Sequence, residues 1–350
     1  MRVDFDQDAA SQVHGIVPSG ARQLTHGVRQ IAMENQEHLK ELNRIAAGLK
    51  NPTFPKIFAV ELCAECDLNC SMCHHDQMKR PKGNLPMPLW QKCADEIAEV
   101  APSTNVWFSF CGEPLLMPDR LIDMLDYGAR VGLKSLNLNT NGMRLTRDVA
   151  TRLLDTSLST IVIGIDGFTK ETYEKYRVLG NRDTVYDNVK FLLDERAKRE
   201  TGPEIMVQFI EMDDNVKEFD AYRDHWLGLG ATVKLRRQLS WGGKFETAID
   251  VANEQRIACP WAITMMHLFW DGRVPRCPGD TEGEEDAGNA WDDSLVDLWA
   301  NLGGYRQLHL DHMFDDLPDR CHDCTDWKTG ASVKLRPGQK AHLERATATQ

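Results

Sequence analysis

At 350 residues with 42% hydrophobic content, the chain is long enough for one large α/β domain and a smaller companion. Its 53 acidic and 41 basic side chains give a formal net charge of −12, which argues against a sequence-independent grip on nucleic acid and against an anionic membrane face. Residues 1–19 lack the apolar stretch of a signal peptide, and apolar runs such as Ile161–Ile163 are too short to span a bilayer, so a cytoplasmic location is expected. In such a reducing compartment, the ten cysteines point to metal or redox chemistry more than to disulfides.

Residues 1–20 show no periodicity. Leu24, Val28, Ile31, Leu39, Leu42, Ile45 and Leu49 recur at helical spacing, and Pro52 and Pro55 end that helix, giving an N-terminal helical extension over 1–55 packed on the outside of the main domain. Strands and helices then alternate. Ile57–Leu62, Val106–Phe110, Ser135–Asn139, Ile161–Ile165, Ile205–Ile210 and Val233–Arg237 read as strands. Helices are predicted at Pro88–Val100, Asp119–Val131, Arg147–Leu154, Lys170–Tyr176, Thr184–Lys198 and Val216–Leu229. This order predicts a parallel sheet with helices outside and its site at the strand ends, over residues 56–243. The pattern stops near Ser240–Gly243. Residues 244–330, with shorter elements, four cysteines and the acidic loop Glu282–Asp286, read as a small second domain, and 331–350 as a polar tail.

Cys66, Cys70 and Cys73 follow the first strand as Cys-x3-Cys-x2-Cys. Three thiolates can hold a four-iron cluster while leaving one iron open to a ligand. Zinc is the competing reading, since Cys63 or His74 could supply a fourth ligand, but zinc sites favour two spaced pairs.

With the motifs that follow, this spacing resembles the radical S-adenosylmethionine (SAM) superfamily. Phe110-Cys111-Gly112-Glu113-Pro114 is similar to that family's turn after the second strand, which holds the SAM amino group. Asn139-Thr140-Asn141-Gly142 ends the third strand as in relatives. Gly164-Ile165-Asp166-Gly167 ends the fourth, and Tyr176-Arg177 follows, where relatives bind the SAM carboxylate. Two departures stand out: Cys111 replaces a usual glycine and Gly164 a frequent serine, which shifts weight onto Arg177. The resemblance covers roughly residues 55–240. It implies a partial (β/α)6 TIM-type barrel, a [4Fe-4S] cluster on Cys66, Cys70 and Cys73, and SAM bound by Gly112, Glu113, Pro114, Asn139, Asn141, Gly164, Asp166, Arg177 and Gln208. It also implies a flavodoxin- or ferredoxin-type electron donor. Reductive cleavage of SAM would then give a 5′-deoxyadenosyl radical that removes a hydrogen atom from the substrate.

Cys259, Cys277, Cys321 and Cys324 offer four thiolates, enough for a second four-iron cluster or for a structural zinc. With Gly272, Asn289 and Trp299 they resemble the twitch form of the SPASM domain, which implies one auxiliary [4Fe-4S] cluster with no free iron corner. Twitch-bearing relatives include an aminocyclitol alcohol dehydrogenase with very similar cysteine spacing, alongside sugar epimerases and nucleoside diol dehydratases.

Gln208, Glu211, Lys234 and Arg236 lie on the late strands as candidates to complete the chemistry, Lys234 and Arg236 on one face. Cys63 and Cys111, beside the cofactor motifs, are candidate hydrogen donors, whereas Cys93 fits a helix core face. The expected function is hydrogen abstraction at a carbinol carbon of a small sugar, aminocyclitol or nucleoside in natural-product biosynthesis. Its outcome would be dehydrogenation, diol dehydration or epimerisation. The competing function is modification of a ribosomal peptide by a SPASM-type maturase.

Overall fold

The computed structural model describes residues 40–247, 256–330 and 332–338. The predicted helix positions Leu24, Val28, Ile31 and Leu39 lie outside these. Residues 40–47 are helical, and Leu42 is buried against Trp327, with Ile45, Ile257 and Cys259 around them. Residues 40–47 therefore pack on the C-terminal cysteine region, where the expectation was the outside of the main domain. Asn51 and Pro52 extend the contact, accepting hydrogen bonds from Arg306 (2.8 Å) and the Trp299 indole (2.9 Å).

Strands and helices then alternate as β1 (Ile57–Val60), α1 (Met87–Val100), β2 (Asn105–Phe108), α2 (Pro118–Val131), β3 (Leu136–Thr140), α3 (Arg147–Leu154), β4 (Leu158–Gly164), α4 (Lys170–Tyr176), α5 (Arg182–Ala197), β5 (Glu204–Glu211), α6 (Phe219–Gly228) and β6 (Thr232–Arg237). The C-terminal region adds α7 (Pro260–Thr264), β7 (Met265–Leu268), β8 (Arg273–Pro275), β9 (Asp286–Asn289), α8 (Leu295–Asn301), α9 (Gly303–Leu310), α10 (Asp319–His322) and β10 (Val333–Leu335).

The strands β1 to β6 pair in sequence order, all parallel, within an eight-stranded sheet β10-β6-β5-β4-β3-β2-β1-β7. Burial on both faces is why β4 reads as a continuous apolar run from Ile161 to Ile163. Each helix lays one stripe on the sheet; in α1 this is Leu89, Trp90, Cys93, Ala94 and Ile97, so Cys93 is core as expected. Thr146, Thr169 and Asn181 cap α3, α4 and α5 by accepting backbone N–H groups. The fold is a mostly parallel α/β sheet, open rather than closed, consistent with a partial barrel.

Two boundaries differ from the expectation. β7, inside the expected second domain, pairs parallel with β1 and extends the main sheet. β10, inside the expected polar tail, pairs antiparallel with β6, and Val333 and Leu335 pack on the core. Both strands are too short for a pattern of two to stand out, and only pairing with a preformed edge defines them. Among the described residues, no helix is long and apolar enough to cross a membrane.

Candidate active site

The chain leaves β1 through Glu61 and returns at Arg80, and these two close the base of the first cysteine loop. Both side chains are almost fully buried, Arg80 Nη1 donating to Glu61 at 2.9 Å, with Arg80 Nη2 bridging the other oxygen. Arg80 also donates to the Thr281 carbonyl at 2.7 Å and sits 4.1 Å from the Phe269 ring centroid. The pair thus ties this loop to the later cysteine region. Glu282 accepts from the backbone of Lys79 and Arg80, and Thr281 Oγ1 meets His74 Nδ1 at 2.9 Å.

Within the loop, Cys66 Sγ accepts from Leu68 N at 3.5 Å, and Arg177 Nη1 lies 3.7 Å from Cys70 Sγ. Burial pushes Cys66 and Cys73 up to about 12 and raises Cys70 too, so each thiol gives up a proton as iron is loaded. Cys63 and His74, the conceivable fourth ligands, both turn elsewhere: Cys63 Sγ contacts the Glu65 backbone and His74 engages Thr281.

The turn after β2 is fastened by Glu113. Its buried carboxylate accepts from Leu115 N (2.9 Å), Thr140 Oγ1 (2.7 Å) and Asn141 N (2.7 Å), locking the β2 turn to the end of β3. Burial nonetheless pushes this acid up to about 7. Gly112 is required by proximity: a Cβ there would run into the Cys63 carbonyl. Phe110 takes φ 132°, a strained value for a residue with a side chain, at the cavity wall.

Gly164 is explained in the same way. A Cβ at that position would collide with the Arg177 guanidinium, which donates to Asp166 Oδ2 from Nε at 2.8 Å. Asp166 is fully buried and holds β5 through Ile210 N at 2.7 Å. The glycine that departs from the family's frequent serine thus makes room for Arg177 to reach Cys70.

The later cysteines come from separate elements: Cys259 precedes α7, Cys277 follows β8, Cys321 lies in α10 and Cys324 just after it. Tyr305 OH lies 3.5 Å from Cys321 Sγ, Asp326 N donates to Cys324 Sγ at 3.4 Å, and Ser240 Oγ is 3.8 Å from it. Asp326 is held by the N–H groups of Ser240 and Gly242. Burial pushes Cys259 up to about 12 and Cys277 to about 11.

Both thiol sets face one cavity of about 410 Å³, which Cys66, Cys70, Cys73, Cys259, Cys277, Cys321 and Cys324 all line. Gly112, Glu113, Asn139, Asn141, Gly164, Arg177, Gln208, Lys234, Arg236 and Cys111 line it as well. Pro114 and Asp166 stand behind it, Asp166 acting through Arg177. Glu211 and Cys63 do not line it, a correction to their expected catalytic roles. On β5, Gln208 and Ile210 face inward, so strand alternation turns Glu211 away, opposite Arg237. Cys63 is buried behind Gly112.

The structure adds residues that sequence reasoning missed. Trp241 and Trp261 wall the cavity, and the indole of Trp241 donates to the Met72 carbonyl beside Cys73 at 2.9 Å. His267 on β7 is buried, its ring centroid 4.5 Å from that of Phe110, and burial pushes it down to about 3, so its imidazole is neutral.

Among the described residues, no three His, Cys, Asp or Glu side chains converge closely enough for one metal ion. All-thiolate donor sets on the wall of one cavity suit iron–sulfur chemistry. Cys66, Cys70 and Cys73 would hold three corners of one cluster, and the four later cysteines would hold the other.

Residues 60–222 match the Radical SAM superfamily. Mycofactocin maturase MftC of Mycobacterium tuberculosis (strain CDC 1551 / Oshkosh) is 31% identical over 210 residues, 58% of this chain and 51% of that protein. AdoMet-dependent heme synthase of Methanosarcina barkeri (strain Fusaro / DSM 804) is 32% identical over 124 residues, covering 35% and 34% of the two chains. The chain thus spans about half of MftC and a third of the heme synthase. In fold it resembles BtrN (TM-score 0.55, 15% identity, 81% of this chain and 100% of BtrN). It also resembles Streptococcus suis SuiB (TM-score 0.62, 13% identity, 91% of this chain and 78% of SuiB). That superfamily uses a [4Fe-4S] cluster and SAM, and this chain, with its three-cysteine loop after β1, carries a radical SAM domain.

Proposed function

We propose that this radical SAM enzyme removes hydrogen from a carbinol carbon of a small polyhydroxylated substrate, a sugar, aminocyclitol or nucleoside, held between the two thiol sets. Dehydrogenation to a ketone is the favoured outcome; diol dehydration and epimerisation share its first step. The carrying observation is a group of buried side-chain polar atoms with no partner among the described residues: Asn139 Oδ1, Gln208 Oε1, Arg236 Nη2, Arg256 Nε, His267 Nδ1 and His309 Nε2. All six residues line the cavity that the two thiol sets face. Leaving such an atom unsatisfied costs about 1–3 kcal/mol, so a concentration of them suits a ligand rich in hydroxyl groups.

When bound, SAM on the three-cysteine cluster supplies the 5′-deoxyadenosyl radical, and the four-cysteine cluster supplies a one-electron acceptor. The protein's own part is positioning and exclusion. Trp241, Trp261 and Phe110 wall off water and competing hydrogen donors. Neutral His267 and Gln208 supply hydrogen bonds to hydroxyl groups. Cys111, a buried thiol raised far above its usual range and lining the cavity beside Cys73, is the residue suited to return a hydrogen atom if the outcome is epimerisation. The setting is cytoplasmic natural-product biosynthesis, with a flavodoxin- or ferredoxin-type reductant.

A second reading, peptide maturation, is favoured by the similarity to MftC and by the fold shared with SuiB, which has been solved bound to its precursor peptide. BtrN, whose full length the chain covers, has been solved with AdoMet and 2-DOIA. Anaerobic turnover of the reconstituted protein separates the two. The proposal expects one SAM consumed and a mass loss of two hydrogens on a polyol or aminocyclitol; turnover of peptides alone would favour the maturase.

A further inference from the structure

We infer that Lys234 and Arg236 form an anion-binding site in the cavity wall, so that the substrate carries a carboxylate or phosphate group. The inference rests on the proposed reading only in taking the cavity as the substrate site.

Lys234 and Arg236 stand two residues apart on β6, on one face of the strand, and both line the cavity. Neither makes an ion pair or hydrogen bond with any described residue. Arg236 Nη2 is buried without a hydrogen-bond partner; the Trp261 ring lies 5.8 Å from the guanidinium, and Asp326 and Asp166 act on it through space. The charged neighbours of Lys234 are Arg236 and Lys334, both of like sign, and burial with that repulsion pushes the amine down to about 7. β10 places Lys334 directly opposite Lys234 in the register, which adds a like charge to this strand pair.

The carboxylates within reach are already engaged. Glu113 accepts from Leu115, Thr140 and Asn141. Asp326 accepts from Ser240 and Gly242, and Asp166 is committed to Arg177 and Ile210 N. Arg256 and Arg320 lie beside the four later cysteines, where they offset the negative charge of a thiolate set; Arg236 feels the carboxylates of Asp326 and Asp166 without a hydrogen bond to either, and Lys234 has only like charges around it. Gln208, opposite Lys234 in the register, adds an unpartnered amide oxygen for a neighbouring hydroxyl. Two basic side chains with no hydrogen bond or ion pair to a described residue, beside hydroxyl-seeking groups, match a sugar acid or a phosphorylated sugar better than a neutral polyol.

The test is calorimetric titration of the anaerobic, SAM-saturated holoenzyme with inorganic phosphate, with acetate and with myo-inositol. The inference expects one anion bound per chain and no myo-inositol binding at equal concentration. Phosphate binding alone would identify a phosphate ester, and acetate binding alone a carboxylate. Affinity should fall at least about tenfold in Lys234→Met and Arg236→Gln, with iron content and absorption spectrum unchanged, and should be largely kept in Arg236→Lys.

A readout on the wild-type protein guards against variants that misfold: phosphate or acetate should slow acylation of Lys234 by acetic anhydride, followed by mass spectrometry. Absence of anion binding, equal binding in the variants, or binding seen in a parallel titration of the SAM-free holoenzyme but not with SAM would each overturn the inference, the last by assigning the two basic side chains to the SAM carboxylate. No turnover is required, so failure of the hydrogen-abstraction reading leaves the result interpretable.

Discussion

The two thiol sets share one cavity but are built in opposite ways. Cys66, Cys70 and Cys73 sit in a single loop of eight residues, at the end of a parallel strand, and the side chains that could add a fourth ligand are turned aside by the Glu65 backbone and Thr281. Cys259, Cys277, Cys321 and Cys324 are gathered from distant parts of the chain by α7, the β8–β9 hairpin and α10, with Tyr305, Ser240 and the Asp326 backbone packed around the sulfurs. A short loop with three ligands leaves a corner for a cofactor; four ligands from separate elements enclose what they hold. The Glu61–Arg80 pair and the His74–Thr281 contact fix the two at one separation.

That contrast can be broken from either side. The largest effect is expected from Cys70→Ala: iron should fall from about eight to about four per chain, and reductive SAM cleavage should vanish while the later cluster's absorption persists. Cys324→Ala should also remove about four irons, yet leave SAM cleavage measurable by chromatography while product formation is lost. If both variants lose cleavage alike, the two sites do not have separate roles.

Arg80→Met should come next, as a stability effect. It strands the buried Glu61 carboxylate and should cost about 3–5 kcal/mol in denaturant unfolding, where a surface pair would cost under about 1. Gly164→Ser should displace Arg177 and weaken SAM binding about tenfold in equilibrium dialysis, with the cluster retained; unchanged affinity would mean that Arg177 has no part in that site. The smallest effect should come from Thr281→Val, about 1–2 kcal/mol from the lost hydrogen bonds to His74 and Lys244.

Much of this was legible from sequence where the signal is local. β1, β4 and β5 were visible as short, largely apolar stretches and β3 and β6 by alternation of apolar and polar residues, each set off by helical segments. The first cysteine loop and the Glu113 turn were visible because their residues are adjacent in the chain. What escaped depends on tertiary convergence. β7 and β10 are strands only because β1 and β6 offer them edges. Trp241, Trp261, Tyr305, His267 and His309 reach the cavity from irregular segments or short elements with no period to reveal a face. Glu211 was misassigned for lack of an anchor: once Gln208 is known to point inward, alternation along β5 turns Glu211 out. Gly164 looked like a weakened site until the position of Arg177 showed what the missing side chain allows.

The most direct test is release of 5′-deoxyadenosine by the anaerobically reconstituted, dithionite-reduced protein given SAM. The account predicts its formation by wild-type protein carrying about eight irons, and none by Cys70→Ala. A colourless, zinc-loaded protein that leaves SAM intact would contradict it.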